Sequence, residues 1–222
     1  MGAADPPASA LEAAWPLFGL RIRSENLVLR LPTDDDLPGM LDLAKAGIHP
    51  PEEMPFGIAW TDASGADFDR GYVQHHWKWR GTWRHEEWWL NLMVEHDGRP
   101  IGAQTISGED FPLHRIVDTG SWLGLAYQGR GFGKEMRSAV LAFAFDALEA
   151  RAATSGAFLD NAASIAVSRS IGYEEDGRGV LAPRGVSRET QRFRITAEAW
   201  RSRPRPPVVI EGFEACRDMF GI

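Results

Sequence analysis

The stretch YQGRGFGKE, residues 127–135, sets three glycines within five positions beside an arginine and a lysine. Just before it, IVDTGSWLGL (116–125) reads as a strand, with Gly120 and Gly124 marking a bulge or a close ligand approach. Just after it, GFGKEMRSAVLAFAFDALEA (131–150) reads as a long amphipathic helix, with Phe132, Met136, Val140, Phe143 and Ala147 on one apolar stripe. A strand, a glycine turn and a helix starting inside the turn together make a cradle for phosphate. The first N–H groups of a helix lack internal partners, and its N-terminal end carries partial positive charge. Glycine lets a ligand approach the backbone without meeting a Cβ.

Spacing excludes three owners of that phosphate. A Walker A loop needs four residues between its first glycine and Gly-Lys, followed by Ser or Thr; Gly129 and Gly133 enclose three, and Glu135 follows Lys134. A dinucleotide fingerprint needs its third glycine three positions after the second, and Gly131 and Gly133 are two apart. A kinase glycine loop fails on the same spacing, and no HRD or DFG segment occurs.

Working outward, NLVLRLP (26–32) is a short strand, and Thr33 with Asp36 forms a capping box for a helix running to about Ala46. HPPEEMPFG (49–57) is loop, and Asp67 to about Trp83 is a second helix. WWLNLMVEHDGRPIGAQTIS (88–107) is a hairpin turning at Asp97-Gly98. Beyond the long helix come a strand near 152–158, a helix near 162–171 capped by Gly172, and strands near 173–180 and 187–195. This order predicts one α/β domain with a mixed sheet. Residues 1–14 read as a loose tail within an N-terminal arm, 1–23; the domain proper spans 24–200, and a tail, 201–222, packs on the domain or on a partner subunit. Apolar extensions at both ends suggest a homo-oligomer.

Composition narrows the classes. A formal net charge of −7 argues against a nucleic-acid binder. No apolar run is long enough to span a membrane, and no basic n-region precedes an apolar stretch at the N-terminus, so a cytoplasmic location is expected. The single cysteine, Cys216, forms neither an internal disulfide nor a cysteine cluster for metal. HEEWW (85–89) has Trp89 where a zinc-protease motif needs its second histidine, and no metal is expected. Tyr72, His76, Trp79 and Trp83 share one face of their helix, which suits core packing or the wall of a pocket.

QGRGFG (128–133) matches Q/R-x-x-G-x-G/A, the pyrophosphate-binding signature of the GNAT superfamily of acyl-CoA-dependent N-acyltransferases. DNAASIAVSRSIGY (160–173) looks like the later strand-to-helix segment of that superfamily, and the resemblance covers roughly residues 24–200. Within the superfamily the chain looks like the ribosomal-protein N-terminal acetyltransferase (Rim) branch. Its WPLF, MPF and SWLGL stretches resemble an actinobacterial subgroup associated with succinyl-CoA. The resemblance implies a mixed, mostly antiparallel central sheet flanked by helices, with a splayed, bulged fourth strand. It also implies transfer of an acetyl or succinyl group from coenzyme A to a primary amine, on a small molecule or a protein, without metal.

Residue by residue, the resemblance assigns the acyl-CoA co-substrate to Leu123, Gly124, Leu125, Gln128, Gly129, Arg130, Gly131, Phe132, Gly133, Lys134, Asn161, Ser164 and Ser168. The N–H of Leu123 is the candidate for polarising the thioester carbonyl, against the alternative of an ordinary core strand. Asp118 is the candidate base, against a plain strand carboxylate, with Glu109, Asp110 and His114 as weaker rivals. Many relatives carry a tyrosine as general acid where this chain has Ser168; the Ser168 hydroxyl, or that of Ser164 one helical turn away, is left as the catalytic candidate that hydrogen-bonds the departing sulfur, with water as the alternative source of the proton. Asn161 binds the pantetheine arm, caps its helix, or does both. A succinyl carboxylate would need a cationic partner, for which Arg115, His114 and Arg169 are candidates. The alternative to an enzyme is a non-catalytic acyl-CoA-binding or sensing protein.

Overall fold

Asp97 and Gly98 both take positive φ, 50° and 71°, the backbone of a tight hairpin turn. In the computed structural model, which describes residues 9–222, that turn joins the two longest strands. In chain order the elements are α1 (Ala10–Ala14), β1 (Arg21–Arg23), β2 (Val28–Arg30), α2 (Leu37–Lys45), α3 (Gly65–Gly81), β3 (Glu87–His96) and β4 (Arg99–Glu109). There follow α4 (Phe111–His114), β5 (Ile116–Leu123), α5 (Phe132–Ala142), β6 (Ala152–Phe158) and α6 (Ala162–Ile171). The chain ends with β7 (Glu174–Leu181), β8 (Arg188–Thr196), α7 (Ala197–Arg201), β9 (Val209–Glu211) and α8 (Phe213–Cys216). The nine strands form one sheet in the order β7-β8-β6-β5-β4-β3-β2-β1-β9. Only β5 and β6 run parallel; the remaining ladders given by register are antiparallel.

Alternation along the strands builds two cores. Trp88, Leu90, Leu92 and Val94 of β3 join α5 on one face of the sheet. Met93 and Ala103 join Leu37, Met40 and Ala44 of α2 and Phe68 and Tyr72 of α3 on the other. The long helix differs from its expected form. It is α-helical only to Ala142, continues as a π-turn over Phe143–Ala147, and is buried nearly all round rather than along one stripe. Covered by the sheet, α6 and both chain ends, it leaves little to water beyond Lys134 and Asp146.

The α2 cap also departs from expectation, since Asp36 rather than Thr33 adjoins the helix. Asp36 accepts from the N–H and hydroxyl of Thr33 (2.7 and 2.8 Å) and from both arms of Arg30 (2.7 Å each). Burial opposes its charge, but these donors outweigh it and hold the carboxyl at about 2.

Both chain ends fold onto the domain. Residues 1–8 of the expected loose tail lie outside the described residues, while Ser9 caps α1. β9 pairs with β1, Trp83 Nε1 donates to the Met219 carbonyl (2.8 Å), and Phe220 meets Trp88 edge-on at 4.9 Å. The apolar residues that suggested an oligomer are thus packed within the same chain. Cys216 is fully buried there, and desolvation pushes its thiol up to about 12, far from a reactive thiolate.

Of the aromatic face of α3, Tyr72 and His76 are buried in core contacts, and Trp79 stacks on Trp89 at 4.5 Å. Desolvation lowers the His76 pKa to about 3, helped by His75 and Arg80, so the ring is neutral in the fold. The unfolded chain takes up that proton near pH 6.5. Stability is therefore complete above about 6.5 and falls with acidification by about 1.4 kcal/mol per pH unit until the folded pKa is reached. Urea melts from pH 7 to 4 should show this slope, reduced in His76→Phe; an identical slope in the variant would exclude His76 as its source.

Candidate active site

β5 is zipped to β4 along its length, from Ser107↔Asp118 to Gly102↔Leu123, with no shift of register. On its other side it pairs with β6 only over Ile116–Asp118 against Ala152–Thr154. Beyond these residues the two strands part. The N–H of Gly124 donates to the Ile101 carbonyl of β4 (3.0 Å), so strand alternation turns the N–H groups of Leu123 and Ser121 the opposite way, into the gap. The expected bulge is absent: divergence from β6 opens the strand, and the extra strand β1 makes it fifth in order, not fourth.

The gap ends at the glycine turn. Gly129 and Gly131 have φ of 71° and 88°, and a Cβ on either would meet nothing within 4 Å. The N–H groups of Gly129, Arg130, Gly131, Phe132 and Gly133 find no acceptor among the described residues, whereas those of Lys134 and Glu135 both reach the Gly131 carbonyl at 3.1 Å. Five free donors, two exposed basic side chains (Arg130 and Lys134) and the start of α5 are therefore gathered in one turn. Gln128 serves the turn itself. Its amide donates to the carbonyls of Ile48 (2.7 Å) and Leu123 (2.9 Å), fixing the end of β5. Where β5, α5 and α6 meet, Gly133 leaves 3.8 Å to both Leu123 and Val167.

The two faces of β5 carry different chemistry. Asp118, Gly120 and Trp122 point toward α2 and α3; Val117, Thr119, Ser121 and Leu123 point toward α5. Asp118 accepts from Thr154 Oγ1 at 2.7 Å. Solvent reaches it, yet it lies in a concavity where surrounding protein raises its pKa; Thr154 and then Arg137 act in the opposite direction. Trp122, four residues farther along the same face, belongs to an aromatic wall with Trp60 (6.1 Å), which in turn touches Phe68 and Tyr72. A cleft of about 600 Å³ opens next to that wall, lined by Ile48, His49, Thr61, Phe68 and Arg184.

Other candidates fall elsewhere. Glu109, Asp110 and His114 are exposed at the end of β5 remote from the glycine turn. Arg115 turns to the Leu148 carbonyl, and Arg169 pairs with Glu175 at 2.7 Å on the surface, so neither stands in the gap. Asn161 caps α6, accepting from the Ser164 N–H at 3.0 Å. Ser168 is buried, and its hydroxyl has no partner. Leu123 and Asp118 are both on β5 but five residues apart, about 16 Å along an extended strand. That spacing leaves no direct contact of both with one acyl carbon. The Ser121 N–H opens into the same gap and lies nearer Asp118.

Sequence reading missed a polar cluster on the α5 face. Arg137 donates to Ser155 Oγ (3.0 Å) on β6 and Ser121 Oγ (3.1 Å) on β5, bridging the strands where they part. Beside it the Tyr173 hydroxyl meets Thr119 Oγ1 at 3.1 Å. The available signal was a charge adjoining Met136 in a helix too apolar to leave a solvent face.

A family model described as the Acetyltransferase (GNAT) domain matches residues 26–174. The chain belongs to the GNAT acetyltransferase family. Solved GNAT-type structures share its fold at low identity. Mycobacterium smegmatis RimJ, in complex with a CoA disulfide, is 20% identical at a TM-score of 0.66, over 90% of this chain and 92% of that one. RimL, a ribosomal L7/L12 alpha-N-protein acetyltransferase in complex with coenzyme A, is 17% identical at a TM-score of 0.65, over 79% and 97%. A spermidine N-acetyltransferase chimera from Vibrio cholerae and human sequences is 19% identical at 0.63, over 81% and 100%. The last two act on unlike amines, a ribosomal protein's and spermidine, so the shared GNAT fold alone does not specify an acceptor.

Proposed function

We propose that this GNAT protein transfers an acyl group from coenzyme A to a primary amine, of a small molecule or a protein, by direct attack. The observation that carries this reading is the parting of β5 from β6 ahead of five unpaired N–H groups in the glycine turn and the first residues of α5. The pyrophosphate rests on Gly129–Gly133 with Arg130 and Lys134 beside it, and the pantetheine arm adds to β5 through the Leu123 N–H. The thioester carbonyl takes the Ser121 N–H, which is closer to Asp118 than Leu123 is. The amine approaches from the α2/α3 face, between Trp122 and Asp118. Its nitrogen bonds to the carbonyl carbon, the C–S bond breaks, and CoA leaves as thiolate. Asp118, directly or through water, takes the proton the amine loses, and water protonates the thiolate. Acetyl and succinyl are the acyl groups considered.

Ser168, standing where many relatives have tyrosine, favours a second reading, an acyl-CoA-binding protein without turnover. Calorimetry with CoA, acetyl-CoA and succinyl-CoA, followed by amine-dependent release of free thiol, tests both. Binding with thiol release supports the enzyme, binding with no release from any amine supports the second reading, and no binding overturns both. Gly131→Ala should weaken CoA about tenfold, since a side chain at its φ of 88° costs about 1–2 kcal/mol.

A further inference from the structure

Past their last paired residues, Asp118 and Thr154, β5 and β6 part, yet the connections attached to each side meet again. On the β5 side, the α2–α3 connection (46–64) is held by the Leu125 N–H on the Gly47 carbonyl (3.0 Å) and by the Gln128 amide on the Ile48 carbonyl. On the β6 side, β8 pairs with β6 out to Phe158↔Thr190, and the β7–β8 connection (182–187) leads into it. Arg184, at the tip of that connection, grips the other one. Its Nε and Nη2 donate to the two Asp62 carboxylate oxygens (2.7 and 2.6 Å), and Nη2 also reaches the Pro51 carbonyl (3.0 Å). Arg188 adds a bond to the Met54 carbonyl (2.7 Å), and a Cβ on Gly57 would stand 3.0 Å from Leu181 Cδ1. Arg184 itself has a φ of 55°, a conformation uncommon outside glycine that persists where surrounding contacts over-determine it.

We propose that Arg184 is a positioning residue for the amine acceptor, holding Trp60 against Trp122 through Asp62. The inference rests on the acyltransferase reading above and deepens it. Asp62 and Trp60 share one short helical turn, Trp60–Asp62, so a grip on the carboxylate also fixes the backbone that carries the indole. That indole lies 6.1 Å from Trp122, beside which the amine enters in that reading. Between α2 and α3 this turn is the one regular element, so its place depends on ties made from outside it. The ion pair is partly exposed on both sides, and such pairs contribute little to global stability. Its loss should therefore loosen the segment without unfolding the protein.

Hydrogen exchange on the free protein reads the positioning without an acceptor. In Arg184→Met the amides of Glu53 and Asp62, bonded to the Pro50 and Ala59 carbonyls (3.0 and 3.2 Å), should exchange about tenfold faster while those of β5 are unchanged. Thiol release from acetyl-CoA and succinyl-CoA is then followed with phenethylamine, spermidine and a pentapeptide with a free N-terminus, and the fastest wild-type pair is kept. Arg184→Met should raise the KM of that amine about tenfold, with kcat and CoA affinity within about twofold. Arg184→Lys, which keeps the charge but not the fork, should recover part of the loss. Unchanged exchange, or faster exchange with an unchanged amine KM, overturns the proposal and leaves acyl transfer standing. No thiol release by the wild type with any of the three amines overturns it together with the reading on which it rests.

Discussion

Asp118→Asn is expected to lower amine-dependent turnover by about 10² or more at neutral pH, with no loss of melting temperature. The substitution keeps the shape and a partner for Thr154 Oγ1, and removes only the capacity to accept a proton. Surrounding protein raises the Asp118 pKa, Thr154 and Arg137 countering in part, so the wild-type rate should climb with pH through a value above the ordinary carboxylate range. That climb should vanish in the variant. The same shift fixes the sign of the stability effect. A carboxyl whose folded pKa is raised contributes stability that is complete below its unfolded pKa and lost as pH rises through the folded value. At neutral pH the ionised Asp118 is therefore a burden that asparagine lacks, and the variant should melt at the same temperature or higher. Full turnover in Asp118→Asn would remove it from the chemistry and return attention to water alone.

The second large effect is structural. Gly102 faces Leu123 across the β4–β5 ladder, and a Cβ there would overlap the Trp122 carbonyl oxygen and stand 3.0 Å from Leu123 Cα. Both atoms belong to backbone, so no side chain can swing aside. Gly102→Ala must push β5 away from β4 beside the free N–H groups of the gap. A loss of about 2 kcal/mol is expected, or about 4–8 °C in Tm, together with weaker CoA binding. Gly120→Ala, where a Cβ meets nothing within 4 Å, is the stability control. Equal melting temperatures for the two variants would show that β5 shifts at no cost.

What was legible in the sequence followed from local chemistry. Asp97-Gly98, the glycine turn, Asn161 and Gly172 each act locally, on backbone within a few residues, and each stands where its residue type predicts. Arg137 was not legible, because its meaning depends on Ser121 and Ser155, brought to it from two strands that pair only briefly. The conflict between Leu123 and Asp118 was hidden differently. It is a distance along a strand that motif matching never measures. β1 and β9 were too short to announce themselves, three residues each; β1 is held between β2 and β9, and β9 by its pairing with β1.

That last pairing bears on how the molecule is made. Arg21 registers with Glu211, so one edge of the sheet is completed by a segment synthesised nearly two hundred residues later. Until residues 209–220 leave the ribosome, the nascent chain carries an open strand edge at β1 and bare aromatic surface at Trp83 and Trp88. Final closure must then follow the emergence of residues 209–220. The interval before it is the time when this protein has most need of a chaperone.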